Sequence, residues 1–545
     1  MHRAISIPEI VHMIFSEASR GSLRNAALTC TQWKEPALDQ LWRVLDSVFP
    51  LLWILIPLKL ESEHDQSEKT VWTALLPFPR PKTWNRLETY TRRVRVLYLD
   101  AFPTTGDIVA FQTFQTTVQF RPPGKELLPN LRKLIYNARN RPQTDALSVL
   151  AALLVPSIVE LKLLGVPLIS VPDFLDYLTQ RTPRVRNLLI EGPPPSYIGS
   201  STLSSNLLRL ENLTSFELGS TALTPGIWDA MTQLPSLVSA GFPLLPPAPD
   251  ATGFQPKAFA KLGSLSIRGD FPLLCDLFGS QNDLPTITRI DFRGRSVEEG
   301  RSDFRRLCRL LARKLPNLTS VRLDCRTTSL EADVPLKLVD FQHLLQCEKL
   351  RIFHLEHPCG VSLTIGEVAE VLEAWSLIEM LALQYSTFIR GSINSLKWTA
   401  PTLPLNVLDT VAAKAPRIKE LRLVVDAAIP IQCTPAPCQQ QFECLQEFEV
   451  TLSIVRQPRN VASYLAQRSK NPFSLKVVSA QQVQEDAVQI VNEAKRKWDQ
   501  VGDHLKLLFD QKQRPDRDLQ LGLVEERARY IQEFGEVAAS LKSVF

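Results

Sequence analysis

The chain has 545 residues, of which 44% are hydrophobic and 22% charged, with a formal net charge of +5. That length exceeds what one growing hydrophobic core supports, so several domains or a repeat array are expected. The small net charge gives no case for a nucleic-acid or acidic-membrane partner, which would need basic residues gathered on one face.

Residues 5–45 predict three short helices. Ile7-Pro8-Glu9-Ile10 places proline at a helix start, with Ile10, Ile14 and Phe15 on one apolar side. Ser22 is the expected N-cap of a second helix ending near Leu28. Gln32 to Leu45 carries Trp33, Leu38, Leu41 and Trp42. Three helices this short bury little surface alone, so the surplus of tryptophan and isoleucine points to an interface as well as a core.

The most hydrophobic stretch, Val48 to Leu60, is broken by Pro50 and Pro57. It is too short for the roughly 20 apolar residues that span a bilayer, so it is expected to be a buried connector, with no membrane partner. Glu61 to Lys69 is charged and lacks aromatics, which predicts a hinge.

From Val94 onward one hexad recurs, with apolar residues at its first, fourth and sixth positions. Clear copies are Leu131-Arg-Lys-Leu134-Ile-Tyr136, Ile158-Val-Glu-Leu161-Lys-Leu163, Leu318-Thr-Ser-Val321-Arg-Leu323 and Leu350-Arg-Ile-Phe353-His-Leu355. The thirteen copies start at 94, 131, 158, 185, 213, 237, 262, 287, 318, 350, 378, 418 and 445. Most gaps are near the roughly 20–29 residues of a leucine-rich repeat. The last two anchors of each copy alternate as one face of a strand should.

Between copies the period becomes helical, as in Asp145 to Leu154, Asp303 to Arg313 and Glu367 to Trp375. Proline stands two positions before the first anchor at Pro129, Pro156, Pro183, Pro235, Pro285, Pro316 and Pro416. There it stops the preceding helix and presets the turn into the strand. A strand–turn–helix unit cannot bury its own apolar face, so neighbours must stack into a curved solenoid, an α/β horseshoe. Pro-rich loops are expected at 191–205, 242–256 and 432–439. After Ser479, helical spacing over Gln481 to Asp510 and again over Leu521 to Phe545 predicts a helical cap.

The repeats resemble the leucine-rich repeats that follow docking modules in many fungal and animal adaptors, although the usual closing asparagine or cysteine is seldom present. Ile7-Pro8-Glu9-Ile10, Ile14-Phe15, Leu23…Ala26-Ala27-Leu28…Cys30…Trp33 and Leu41-Trp42 resemble the F-box motif in order and spacing. That resemblance implies a Skp-type adaptor bound through Pro8, Ile14, Leu28, Trp33 and Trp42, and through it a cullin. It further implies a protein substrate held by the repeats. The expected organisation is a docking module at 1–48, a connector at 49–89, the solenoid at 90–479 and a C-terminal cap or tail at 480–545.

Strand residues between the last two anchors should line the concave face, and Lys162, Glu217, Asp291, Arg322, His354 and Arg422 are candidate substrate contacts. Their mixed signs suit a protein or peptide. Phosphate-loop, dinucleotide, hydrolase-elbow and His-Glu-x-x-His signatures are missing from the sequence. Cys347, His354, His357 and Cys359 lack the paired spacing of a zinc site, so neither metal nor cofactor is expected. Nine scattered cysteines and a start without an apolar signal core favour a reducing compartment, cytoplasmic or nuclear. The expected function is a non-catalytic substrate receptor of a cullin–RING ubiquitin ligase. The alternatives are a repeat scaffold outside ubiquitination, whose first helices merely cap the solenoid, and an enzyme built around His354 and His357.

Overall fold

The computed structural model describes residues 7–55, 58–62, 70–74, 81–100, 107–109, 121–137 without 123, 146–165, 171–192, 200–219, 223–244 and 259–296 without 260. It continues over 300–327, 335–385 without 359, 403–428, 441–478 without 452, and 492–512. Two compact units divide the chain: Met1–Gly269 with Asp276–Ile287, and Asp270–Cys275 with Thr288–Phe545.

The first unit opens with three helices, α1 (Pro8–Ser16), α2 (Arg20–Thr29) and α3 (Thr31–Arg43). Pro8 takes the first helical turn, where its missing N–H costs nothing. Ser19, not Ser22, caps α2: its hydroxyl accepts the Ser22 amide at 3.2 Å. Val11, Phe15, Leu23 and Ala37 form the small core, with Trp33 and Leu41 packed against it. Phe15 meets the Trp33 ring edge-on at 6.1 Å.

The sequence pattern carries helix through Leu45, but Val44–Leu45 is a strand, and it pairs in parallel with Val96–Asp100. The three N-terminal helices therefore run straight into the repeat sheet. Of the segment 61–69 expected as the hinge, Glu61 and Ser62 close the strand Leu58–Ser62, and 63–69 lie outside the described residues. Phe49–Leu55 is a helix with Leu51 and Leu52 buried. Leu58–Ser62 then pairs antiparallel with Thr70–Ala74, which lies parallel to Asp107–Val109.

After Val96–Asp100 the first unit's sheet continues through Lys133–Asn137, Glu160–Leu164, Asn187–Glu191, Ser215–Leu218, Ser239–Leu244 and Ser264–Asp270, each parallel to the last. The second unit repeats the arrangement with Arg289–Ser296, Ser320–Thr327, Ile352–His357, Met380–Tyr385, Glu420–Leu423, Glu447–Thr451 and Ser474–Val478. All thirteen hexads lead into one of these strands. Their anchors are the core: Leu131, Leu134, Ile158, Leu161, Val321, Leu323, Phe353 and Leu355 are fully buried. Helices follow, among them Ala146–Leu153, Gly300–Lys314 and Ile365–Ala374. This is the α/β leucine-rich-repeat architecture, with short parallel strands on one side and helices on the other.

Two expected loops are shorter than the sequence suggests. Ser200–Leu208 is a helix, and Phe242–Leu244 completes a strand. Glu191 closes a strand, and 193–199, 245–256, the loop at 432–439 and the helix expected over 521–545 lie outside the described residues. At the far end a helix over 492–512 buries Trp498, Val501, Leu505 and Phe509. Trp498 Nε1 donates to the Ser453 carbonyl at 3.0 Å, and Phe509 packs edge-on to Phe473 at 5.7 Å. Among the described residues no helix is long and apolar enough to cross a membrane.

Candidate functional site

Helix α1 has two faces. Val11 and Phe15 point into the small core, while Met13 and Ile14 stay 64% and 52% exposed. Ile7, at the N-cap, is 44% exposed, and Leu28, near the end of α2, is 78% exposed. Pro8 is exposed as well. Large aliphatic side chains held in water on so small a module are what a docking face requires.

Of the five residues expected to face an adaptor, Pro8, Ile14 and Leu28 are thus displayed. Trp33 and Trp42 are half-buried and packed within the unit. Trp33 packs on the Phe15 cluster, and its Nε1 is buried without a hydrogen-bond partner. Trp42 lies 4.8 Å from the Tyr90 ring, centroid to centroid, on the helix Pro81–Thr91. Met13 and Ile7 are exposed apolar residues beyond the five, although the i, i+3, i+7 spacing of Ile7, Ile10 and Ile14 marks the same stripe.

On the sheet's open face, the register aligns the residues read as substrate contacts. In the first unit Ile135, Lys162, Leu189, Glu217, Gly241 and Ser266 stand opposite one another in turn. In the second the column is Asp291, Arg322, His354, Ala382, Arg422, Glu449 and Lys476. Lys162 pairs with Glu160 at 3.4 Å and Glu217 with Arg268 at 3.2 Å. Asp291 reaches Arg293 at 3.5 Å, and Arg322 is exposed.

Arg422 bridges Glu420, Glu447 and Glu449 at 3.2, 3.5 and 3.4 Å. Gln384 donates to Glu449 at 2.5 Å. His354 is buried, with Nε2 on Glu356 at 2.6 Å and Nδ1 without a partner. Most of the charged residues in these columns are thus paired with neighbours on the same face.

The buried nucleophiles are chemically quiet. Burial pushes the Cys308 and Cys325 thiols well above their ordinary range and Cys347 up to about 11. His357 is held down to about 4 by burial first and by the Arg301 charge second. Among the described residues no group of three or more His, Cys, Asp and Glu could hold a metal ion. Cys359, one of four residues weighed as zinc ligands, lies outside those residues.

Three short N-terminal helices followed by stacked parallel strand–helix repeats define the class: a small helical module on a leucine-rich-repeat solenoid. Residues 8–47 match the family described as F-box-like. That family is a non-catalytic adaptor domain. Among solved structures, TLR13 in a complex with ssRNA13 is similar over 72% of this chain and 51% of its own, with 13% identity and a TM-score of 0.34. This chain thus spans about half the length of TLR13 as crystallised. A Bacteroides fragilis protein is similar over 56% of this chain and 67% of its own, with 13% identity and a TM-score of 0.28. No curated protein matches.

Proposed function

We propose that this protein is the substrate-receptor subunit of a cullin–RING ubiquitin ligase. The three docking helices bind a Skp-type adaptor, and the open face of the repeats holds a protein substrate. The observation that carries this reading is the exposed set Ile7, Pro8, Met13, Ile14 and Leu28 on an F-box-like module. Exposed aliphatics there cost solubility unless a partner covers them.

Such a receptor needs no catalytic residue of its own. It raises the substrate's effective concentration near the loaded enzyme, and the transfer chemistry belongs to its partners. The mixed, paired charges on the open face fit a protein ligand. The free cysteines among the described residues fit work in the cytosol or nucleus.

The test is co-purification with a recombinant Skp-type adaptor, beside a Met13→Glu, Ile14→Glu, Leu28→Glu variant. Those side chains are exposed, so the variant should keep its fold, whereas truncating Trp33 or Trp42 would disturb packing. A one-to-one complex formed by the parent and lost in the folded variant is the expected result. A folded parent that binds no adaptor would leave a leucine-rich-repeat scaffold whose first helices cap the sheet.

A further inference from the structure

A cleft of about 630 Å³ lies within the first unit, where α3 meets the first strands of the sheet. Its lining includes Arg43, Arg92, Arg93, Arg95 and Arg132 against only two carboxylates, Glu35 and Asp39. Both carboxylates are already engaged by Arg93, whose side chain is 3% exposed and forks onto the pair. Among the described residues Arg43, Arg92 and Arg132 make no ion pair, and all three are exposed.

The sheet itself creates this crowding. Arg43, Arg95 and Arg132 each directly follow the first anchor of a hexad, after Trp42, Val94 and Leu131. The backbone locks them in register: the Arg95 amide donates to the Arg43 carbonyl at 2.9 Å, and the Arg132 amide to the Arg95 carbonyl at 2.8 Å. Neighbouring strands are about 4.8 Å apart, so three arginine side chains leave the backbone side by side at one edge of the cleft; one Arg95 Nη also donates to the Arg92 carbonyl at 2.6 Å. Like charges directly opposite on adjacent strands are destabilising.

Arg95 registers that strain. Its pKa lies below the ordinary arginine value through burial first, then repulsion from Arg132 and from Arg43, with Asp39 working the other way. Val159 occupies the same position in the next strand and interrupts the column. The basic surface is therefore a spot the size of one small ligand, not a track for a nucleic-acid backbone.

We propose that this cleft binds a small phosphate-bearing anion carrying three or more negative charges, held by Arg43, Arg95 and Arg132 with Arg92 beside them. Guanidinium forks match phosphate oxygens in shape and charge. Because the cleft joins the docking helices to the first repeats, a bound anion would stiffen that junction. This assignment stands apart from adaptor binding and can fail or hold without it.

The test uses the full chain with tripolyphosphate, followed by calorimetry and by thermal melting, with sulfate at matched ionic strength as control. Arg43→Gln with Arg132→Gln is the matching variant; both side chains are exposed and, among the described residues, make no hydrogen bond, so the fold should survive. The parent is expected to bind tripolyphosphate below millimolar concentration and to melt higher with it. Losing two charge-assisted contacts should weaken binding by about tenfold or more. Failure of tripolyphosphate to bind the folded parent, or equal binding by the variant, would overturn the proposal. So would binding of a doubly phosphorylated peptide without any binding of tripolyphosphate.

Discussion

His357 is the residue at which acidity should act on the second unit. Its ordinary pKa is 6.5, and in the fold it falls to about 4, because burial and then Arg301 disfavour the imidazolium. Asp340 and the Gly360 backbone pull the other way without prevailing. Between those two values an unfolded chain binds the proton that the folded chain refuses. Stability is therefore fully present above pH 6.5 and declines as pH falls toward 4. A His357→Gln variant should lose less stability than the parent when urea midpoints at pH 7 and pH 5 are compared. An equal loss in both would remove His357 as the cause. Asp340 cannot mimic this effect. Burial alone would raise its carboxyl, but hydrogen bonds from Arg301, the Lys337 amide and Arg305 hold it below 3.8, outside that window.

At the scale of the strand and helix, the repeat replaces the familiar closing asparagine with a different tie. The residue just before a first anchor reaches back to a carbonyl of the previous repeat. Asn130 donates to Arg92 at 2.8 Å, and Ser157 to Pro129 and Leu131 at 2.9 and 2.8 Å. Asn212 does the same to Pro183 at 3.1 Å. These bonds stitch neighbouring turns where strand pairing begins. Asn212→Ala should cost about 1 kcal/mol and Ser157→Ala a similar amount, read as lowered urea midpoints. A variant as stable as the parent would make these contacts incidental.

Alternation and proline mark thirteen of the fifteen described repeat strands in the sequence itself. The two that escaped did so for a visible reason. Phe448 pairs with Leu475, which puts Pro472 where the first apolar anchor should be. Leu45 pairs with Leu97, which makes Trp42 the first anchor of a hexad cut short by Ser47. Trp42 therefore reads as a docking residue and also serves as a repeat residue, and a pattern of residue types cannot separate the two roles. Exposure was equally hidden: Ile14 and Phe15 are adjacent and apolar, yet only the helix's orientation sends one to water and one to the core. The arginine cleft was within reach of the sequence, since arginine directly follows Trp42, Val94 and Leu131, but seeing it required the register.

At the scale of the molecule, the consequential feature is that the N-terminal helices and the early repeats share one compact unit. Arg93 is the bolt. It sits between the helix Pro81–Thr91 and the strand Val96–Asp100, with its side chain 3% exposed, while Glu35 and Asp39 on α3 remain 58% and 45% exposed. The Arg93 Nε also donates to the Thr89 carbonyl at 3.1 Å. That asymmetry decides which partner is costlier to remove. Arg93→Met leaves two carboxylates that water can reach, so it should cost only about 1 kcal/mol. Glu35→Ala with Asp39→Ala strands a buried guanidinium and should cost about 3 kcal/mol or more. Urea unfolding of the two variants, followed by tryptophan fluorescence, measures the difference. Restoring stability by adding Arg93→Met to the double carboxylate variant would show that the stranded charge, and not lost packing, is responsible. Should the arginine replacement prove the costlier of the two, the junction would rest on its packed aliphatic stem, and Trp42 on Tyr90 would become the contact that fixes the docking helices to the sheet.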